Sequence, residues 1–269
     1  MSAREALLFE EMRWERRGGM DAAKIAADVT LWLEERMREA DAAGLVCGLS
    51  GGVDSAVVAA LCKRAAGDNA LALIMPCHSD PDDREHALKV AGAIQIELLE
   101  LPLDGVYDAL LALLPEGNDL AKANLKPRLR MVTLYFIANT RNYLVVGTGN
   151  KSEAMVGYFT KYGDGGVDVL PIGGFLKKEV IELARHLGVP DEVVSRQPSA
   201  GLWPGQTDEG ELGLTYADLD AVLEAMDAGR EPQASADLVK RVRGLMAASE
   251  HKRRPPEVFA SRPSRRGVD

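Results

Sequence analysis

Two patterns of apolar residues alternate along the chain. Short, mostly apolar runs occupy residues 45–49, 70–75, 94–101 and 143–146. Their length and all-round apolarity are typical of strands buried on both faces of a parallel sheet. Apolar residues at helical spacing occupy residues 25–37, 55–66, 82–91, 129–139, 177–187, 216–226 and 236–246. This alternation predicts an α/β fold, a doubly wound parallel sheet of about five strands flanked by helices.

Two segments break this alternation. Residues 157–174 are rich in glycine, and residues 198–213 carry glycine and proline without periodicity. Loops of this length in compact proteins are usually functional. The chain shows no internal repeat and no interdomain linker, so residues 20–260 are predicted to form one domain. Residues 1–19 and 261–269 are then terminal extensions.

Charge and cysteine content exclude several classes of protein. The 269 residues include 32 Lys and Arg against 41 Asp and Glu, a net charge of −9, which argues against bulk nucleic-acid binding. Cys47, Cys62 and Cys77 form no Cys-x-x-Cys pair, which argues against a disulfide framework or a zinc site and favours a reducing cytoplasm. Without a long apolar run or a secretory signal, the sequence predicts a soluble cytoplasmic protein with no membrane partner.

The clearest chemical signal is the run Ser-Gly-Gly-Val-Asp-Ser at residues 50–55, between the first predicted strand and a helix. Its two glycines allow a tight turn that directs N–H groups at an anion, and the helix start adds partial positive charge. Ser50 and Ser55 offer hydroxyl donors, and Asp54 offers a hard oxygen for Mg²⁺. The alternative is an ordinary strand-to-helix turn capped by Asp54 or Ser55. The run matches neither the Walker loop nor the dinucleotide fingerprint.

This run resembles the pyrophosphate loop of the N-type ATP pyrophosphatases, which cleave ATP between its α and β phosphates to adenylate a substrate. Residues 147–153 with 157–168, then 198–203 and 250–256, are similar to segments of the NAD synthetases within that group. The resemblance extends over about residues 25–259. It implies a Rossmann-like, adenine nucleotide alpha hydrolase-like fold and a homodimer.

The reaction implied by the resemblance is the last step of NAD biosynthesis. ATP and Mg²⁺ activate the carboxylate of deamido-NAD (nicotinic acid adenine dinucleotide) as an acyl-adenylate, and ammonia then gives NAD, AMP and pyrophosphate. No enzyme nucleophile is needed, and the four histidines form no recognisable triad. The chain has no room for a glutaminase domain, so ammonia is expected to arrive free or from a separate glutaminase subunit.

The resemblance also implies roles for individual residues. Asp54, Glu153, Asp168 and Lys177 are the expected catalytic residues, with Asp54 and Glu153 holding magnesium and Asp168 handling ammonium or a proton. Deamido-NAD is expected at Arg128, Lys161, Asp168, His251 and Lys252, with Lys161 reaching across the dimer. ATP is expected at Gly48, Leu49, Ser50, Gly51, Gly52, Val53, Asp54, Ser55, Thr148, Lys177 and Ser199. Segments 78–85 and 200–211 resemble lids.

Each assignment has a plainer alternative. Glu153 and Lys177 also suit solvated helix starts, and Thr148 suits a strand end. Arg128 and Lys252 read as surface charge when taken alone. For the whole chain, one rival is a tRNA-modifying ATP pyrophosphatase, which the acidic balance and the missing Cys-x-x-Cys disfavour. The other rival is a nucleotide-binding module without turnover, although such a module has little need of two magnesium-binding acids.

Overall fold

The computed structural model describes residues 20–203 and 205–259, so both predicted terminal extensions lie outside the described residues. The strands are β1 (Gly44–Gly48), β2 (Ala70–Ile74), β3 (Glu97–Glu100) and β4 (Tyr143–Val146). The longer helices are α1 (Ala22–Glu39), α2 (Val53–Ala66), α3 (Pro81–Ile94), α4 (Asp104–Leu113), α6 (Leu125–Arg141), α8 (Lys177–His186), α11 (Tyr216–Asp227) and α12 (Ala236–Ala248). The short helices are α5 (Asp119–Ala123), α7 (Lys151–Val156), α9 (Asp191–Val194), α10 (Asp208–Leu212) and α13 (Glu250–Arg253).

The described strands form one parallel sheet in the order β3-β2-β1-β4. Leu45 pairs with Ala70 on one side and with Leu144 on the other. A single parallel bridge between Val146 and Val169 stands where a fifth strand would lie. The predicted α/β class with a parallel sheet is confirmed, and all four apolar runs that predicted strands contain one.

Helices cover both faces of the sheet because successive strand residues point to opposite sides. Leu45 and Cys47 of β1 pack into a core with α1, α2 and α8, whereas Val46 packs into a second core with α4 and α6. A third cluster joins α7 and the start of α8 to α10, α11 and α12. Burial on both faces explains why β1 and β2 have apolar runs and not alternating patterns.

The structure differs from the predicted elements at α4, which lies in no predicted helical segment, at short helices and at an edge strand. Segment 198–213 contains α10, which begins after Thr207, whose hydroxyl accepts from the N–H of Gly210. Five residues are too few to show a period of 3.6. The run 94–101 yields only Glu97–Glu100 as strand, because Ile94 ends α3 and Gln95 adopts the left-handed conformation.

The carboxyl ends of β1, β2 and β4 open at one edge of the sheet. There the chain continues into the turns before α2, α3 and α7. Ligands of open α/β sheets bind at this edge. Among the described residues, no helix combines the length and apolarity needed to span a bilayer.

Candidate active site

A cavity of about 510 Å³ lies at the carboxyl edge of the sheet. Its lining includes most of the turn from Gly48 to Ser55, and Thr148 and Glu153 of the β4–α7 region. Parts of segments 157–167 and 196–211 also line it. The two segments that lack predicted periodicity therefore both contribute to this cavity.

The turn at residues 48–55 is held by its own serines. Ser50 donates its N–H to Ser55 Oγ (3.1 Å), and the Ser55 hydroxyl donates to the Gly52 carbonyl (2.9 Å). Gly51 has φ +84°, and a Cβ there would lie 2.4 Å from the Asp83 carbonyl oxygen in α3, so glycine is required twice over. No side chain caps the start of α2, which leaves its first N–H groups available for an anion such as phosphate.

Beside this turn, an ammonium group lies between two carboxylates. Lys177 Nζ lies 2.5 Å from Asp54 Oδ2 and 3.2 Å from Glu153 Oε1, and 4.8 Å from the centre of the Tyr216 ring. Only 3% of the Lys177 side chain is exposed. These four residues, termed the Lys177 cluster, come from the starts of α2, α8 and α11 and from α7. The solvated helix-start alternative for Lys177 is therefore wrong.

Asn150 connects the parts of this cluster. Its side-chain oxygen accepts from the Glu153 N–H (3.0 Å), and Glu153 Oε2 accepts from the Asn150 N–H (3.4 Å), a capping box at the start of α7. Asn150 Nδ2 also donates to Asp54 Oδ1 (2.8 Å). Sequence reasoning did not select Asn150, although the Asn-x-x-Glu spacing was a visible signal.

Burial sets the electrostatics of the cluster. Burial raises the pKa of Glu153 to about 7, with further increases from Asp54 and Asp208, although the charge of Lys177 opposes this shift. Burial lowers the pKa of Lys177, but Asp54 and Glu153 more than offset it, so the net shift is upward and the ammonium is retained. A fully ionised set of Asp54, Glu153, Asp208 and Lys177 carries three negative charges and one positive charge. The site therefore favours an additional cation.

A hydrogen-bonded layer covers the cluster. The Tyr216 hydroxyl lies 3.0 Å from Asp208 Oδ2 and 3.2 Å from Glu153 Oε1. The Tyr158 hydroxyl lies 3.0 Å from Asp208 Oδ1 and 2.8 Å from Glu211 Oε2. Sequence reasoning did not select these residues individually, although Tyr158 lies in the segment 157–168 and Asp208 and Glu211 lie in the segment 200–211. They link α10 and the predicted lid 200–211 to Glu153.

The acids of the cavity fit a magnesium–nucleotide complex better than a metal held by protein alone. Among residues 20–203 and 205–259, no group of three or more His, Cys, Asp or Glu side chains could hold a metal ion. Mg²⁺ in nucleotide sites usually takes one or two carboxylates and completes its shell with phosphate oxygens and water. Asp54 and Glu153 both line the cavity and provide two such carboxylates.

Other predicted site residues divide into two groups. Thr148, Ser199 and Lys252 line the cavity with the 48–55 turn. Lys252 Nζ donates to the carbonyls of Gly157 (2.8 Å) and Phe159 (2.9 Å). These three residues therefore lie where a nucleotide could reach them.

The remaining predicted residues lie outside the cavity lining. Arg128 is exposed and its Nη2 lies 3.4 Å from the Lys161 carbonyl, while Lys161 Nζ donates to the His251 carbonyl (2.6 Å). Asp168 accepts from the Tyr135 hydroxyl (2.9 Å) and the Val145 N–H (2.8 Å). In this single chain, these residues do not meet the Lys177 cluster.

Two neighbours of those residues face the cavity instead. Arg130 lines it and donates to the Met75 carbonyl (3.0 Å) and to Ser79 Oγ (3.2 Å). Positions 128 and 130 lie about 200° apart around a helix, so only one of them can point inward. Asp164 also lines the cavity, and its side chain accepts a hydrogen bond from the Thr160 N–H (2.9 Å).

Comparisons with known proteins agree on one group. A family model described as NAD synthase matches residues 25–256. The NH(3)-dependent NAD(+) synthetase of Carboxydothermus hydrogenoformans is 52% identical over 232 residues, covering 84% of this chain and 93% of that protein. The structure of NMN synthetase from Francisella tularensis has TM-score 0.83 at 36% identity, covering 91% and 100% of the two chains. The NH3-dependent NAD synthetase from Campylobacter jejuni has TM-score 0.79 at 30% identity, covering 90% and 100%.

Proposed function

Because the chain belongs to the NAD synthase family, we propose that it is a ligase that makes NAD from deamido-NAD, ATP and ammonia, releasing AMP and pyrophosphate. The observation that carries this proposal is the juxtaposition of the 48–55 turn with the Lys177 cluster in one cavity. An anion-binding turn beside two acids and a buried ammonium suits cleavage of a nucleotide triphosphate.

Two displacements complete the reaction. A carboxylate oxygen of deamido-NAD attacks the α-phosphorus of ATP, the bond to the β-phosphate oxygen breaks, and pyrophosphate leaves. The ammonia nitrogen then attacks the acyl carbon, AMP leaves, and one proton is lost from nitrogen. Neither step needs an enzyme nucleophile, so positioning and charge neutralisation supply the rate enhancement.

The residues of the cavity suit these steps. The N–H groups of the 48–55 turn and the ammonium of Lys177 would neutralise phosphate oxygens, and Thr148 and Ser199 would also contact ATP. Asp54 and Glu153 would hold Mg²⁺, which supplies further neutralisation of the phosphates. Lys252 would contact the dinucleotide from the far side of the cavity.

Two acids compete for the proton of the attacking nitrogen. The sequence favours Asp168, but both of its oxygens accept protein hydrogen bonds outside the cavity lining. Asp164 lines the cavity, where its carboxylate could accept a proton from the attacking nitrogen. We therefore assign the proton to Asp164 and keep Asp168 as a dinucleotide contact. Amidation of the adenylate should fail in Asp164→Asn, whereas Asp168→Asn should chiefly raise KM for deamido-NAD.

A homodimer accounts for the predicted dinucleotide residues outside the cavity. Arg128 lies on α6, Lys161 contacts Arg128, and Asp168 contacts α6 through Tyr135. Val132 and Phe136 of the same helix are 59% and 69% exposed. A second copy covering this face would bury them and bring the dinucleotide residues to a shared site. We propose cytoplasmic action with ammonia supplied free or by a separate glutaminase.

A mononucleotide substrate is the second candidate. The structure with TM-score 0.83 is named NMN synthetase, which implies amidation of a mononucleotide by that protein. The 52% identity to an NAD(+) synthetase favours the dinucleotide here. Both acceptors present the same nicotinic acid carboxylate, so the two candidates can be compared in one assay.

The test incubates the purified chain with ATP, Mg²⁺ and ammonium, with either deamido-NAD or nicotinic acid mononucleotide as acceptor. NAD, AMP and pyrophosphate should appear in equal amounts with deamido-NAD and be absent without an acceptor. Faster turnover of the mononucleotide would move the assignment to the second candidate, and no ATP cleavage with either acceptor would contradict both. Asp54→Asn should abolish turnover, whereas Asp68→Asn, an exposed acid paired with Lys63, should not.

A further inference from the structure

The first turn of α8 is capped by side chains from two other helices. Leu176, at the N-cap position, has no side-chain oxygen. The Lys177 N–H donates to Ser152 Oγ in α7 (2.9 Å), and the Lys178 N–H donates to Asp220 Oδ2 in α11 (2.9 Å). Glu179 of the same helix accepts the Leu176 N–H (2.7 Å), whereas Ser152 and Asp220 are the partners of the Lys177 and Lys178 N–H groups.

Ser152 and Asp220 form a continuous buried chain. The Ser152 hydroxyl donates to Asp220 Oδ1 (2.5 Å), and Ser152 and Asp220 are 0% and 2% exposed. A hydroxyl has one proton and two lone pairs, so its donation to Asp220 leaves a lone pair free for the Lys177 N–H. Asp220 therefore orients the hydroxyl that holds the Lys177 backbone.

The three helices joined by this chain also supply the Lys177 cluster. Glu153 follows Ser152 in α7, Lys177 begins α8, and Tyr216 begins α11. A shift between the helices would change the distances from Lys177 Nζ to Asp54 and Glu153, now 2.5 and 3.2 Å. A single buried carboxylate thus joins three of the elements that determine the geometry of the cluster.

We propose that Asp220, acting through Ser152, is a positioning residue for the adenylation step. It does not line the cavity and touches no substrate there. Its effect is to hold the Lys177 backbone so that the ammonium reaches both carboxylates. The expected effect on kcat rests on the proposed function. The expected effect on the start of α8 rests only on the capping contacts.

Asp227 provides a matched control in the same helix. Its Oδ2 lies 2.5 Å from Lys151 Nζ, so it also ties α11 to α7 through a polar contact. In the described part of the chain, Asp227 makes its polar contact with Lys151 of α7 and none with α8. Asp227→Asn and Asp220→Asn therefore each weaken a link between α7 and α11, but only the second acts on α8.

The experiment measures kcat and KM for ATP in the pyrophosphate-release assay, with hydrogen exchange of the amides at residues 177–178. For Asp220→Asn we expect kcat to fall on the order of 10- to 100-fold, as for a misplacement of about 1 Å, with a much smaller change in KM for ATP. Exchange at the start of α8 should be faster. Asp227→Asn should leave kcat unchanged. Its exchange at residues 177–178 should rise only as much as its loss of global stability requires.

The outcomes separate this inference from the proposed function. If the wild-type chain makes no NAD, the proposed function fails, and the exchange measurement still tests the cap. If the wild-type chain is active and Asp220→Asn matches Asp227→Asn in kcat and exchange, the inference is overturned. If Asp220→Asn does not fold, Ser152→Ala replaces it, because it removes one hydroxyl only. Unchanged kcat and unchanged exchange in that variant would also overturn the inference.

Discussion

The Lys177 cluster and the outer face of α6 differ in how they handle charge and apolar surface. In the cluster, a buried ammonium meets two carboxylates at 2.5 and 3.2 Å, and asparagine and tyrosine side chains hydrogen-bond those carboxylates. On α6, Val132 and Phe136 remain exposed, and the cations Arg128 of α6 and Lys161 of the neighbouring loop contact carbonyl groups. The cluster is complete within one chain, whereas the α6 face has the character of a surface to be covered.

This difference suggests that the ATP site forms within one chain, whereas the dinucleotide site needs a second chain. Buried charges are stable only when paired, so the phosphate side of the site must be formed as the chain folds. Exposed apolar side chains on a helix lose little in a monomer and gain by association. We propose that ATP binding is a property of the protomer and that dinucleotide binding is a property of the assembly.

Replacing Lys177 should have the largest effect. Lys177→Met leaves Asp54 and Glu153 without their counter-charge and removes a group proposed to neutralise phosphate. We expect pyrophosphate release to fall on the order of 10²- to 10³-fold. Lys178→Met is the control, since Lys178 is 46% exposed and pairs with Glu224 on the surface, so its rate should change little. Equal rates for the two variants would contradict the assignment.

Replacing Gly51 tests how much the close packing of the 48–55 turn against α3 contributes to stability. Gly51→Ala combines a positive φ with a Cβ placed 2.4 Å from the Asp83 carbonyl, so the free energy of unfolding should fall by about 2 kcal/mol or more. Gly67→Ala has φ +57° but no atom within 4 Å of the new Cβ, so it should lose only about 1 kcal/mol. Denaturant unfolding measures both values. Equal losses would show that crowding at the turn is unimportant.

Charging the α6 face tests the other side of the comparison. Phe136→Glu should give a monomer in sedimentation velocity and raise KM for deamido-NAD about tenfold, while ATP binding changes little. Leu31→Glu on α1 is the control, because Leu31 is 62% exposed on a different helix. A wild-type chain that is already monomeric and fully active would refute the assembly proposal.

A mixing experiment sharpens the same point. Asp54→Ala and Lys161→Ala protomers, each inactive alone, should regain part of the turnover when mixed, if Lys161 serves a site in its partner. Turnover is measured before and after the subunits exchange. Absence of recovery in verified mixed dimers would place Lys161 in the site of its own chain.

The Lys177 cluster should also make stability depend on pH. Because burial raises the pKa of Glu153 to about 7, the folded state keeps a proton that the unfolded state loses near pH 4.5. Stability should therefore fall as pH rises from about 4.5 to 7, by at most about 1.4 kcal/mol per pH unit from this group. Glu153→Gln should flatten that slope in magnesium-free buffer. Asp208→Asn should remove a separate part of the slope, since burial also raises its pKa. An unchanged slope in Glu153→Gln would contradict the shift.

Much of the fold and the phosphate side was predictable because its signals are local. Strand runs, helical periods and the turn at 50–55 each depend on residues close in sequence. Glu153 was also within reach, since its capping box places it at the sheet edge. The roles proposed for Arg128, Lys161, Asp168 and His251 stay predictions, because they depend on surfaces that a single chain leaves uncovered.

The sequence by itself determined the alternation of strands and helices, the parallel sheet and the glycine turn, since backbone sterics and burial periodicity act over a few residues. Only the tertiary structure decided that Lys177 meets Asp54, 123 residues away, and that Arg130 faces the cavity while Arg128 faces outward. It also decided that Asp208 and Tyr216 close over Glu153 and that Asp220 caps α8. These contacts depend on how helices pack against one another, which no local pattern specifies.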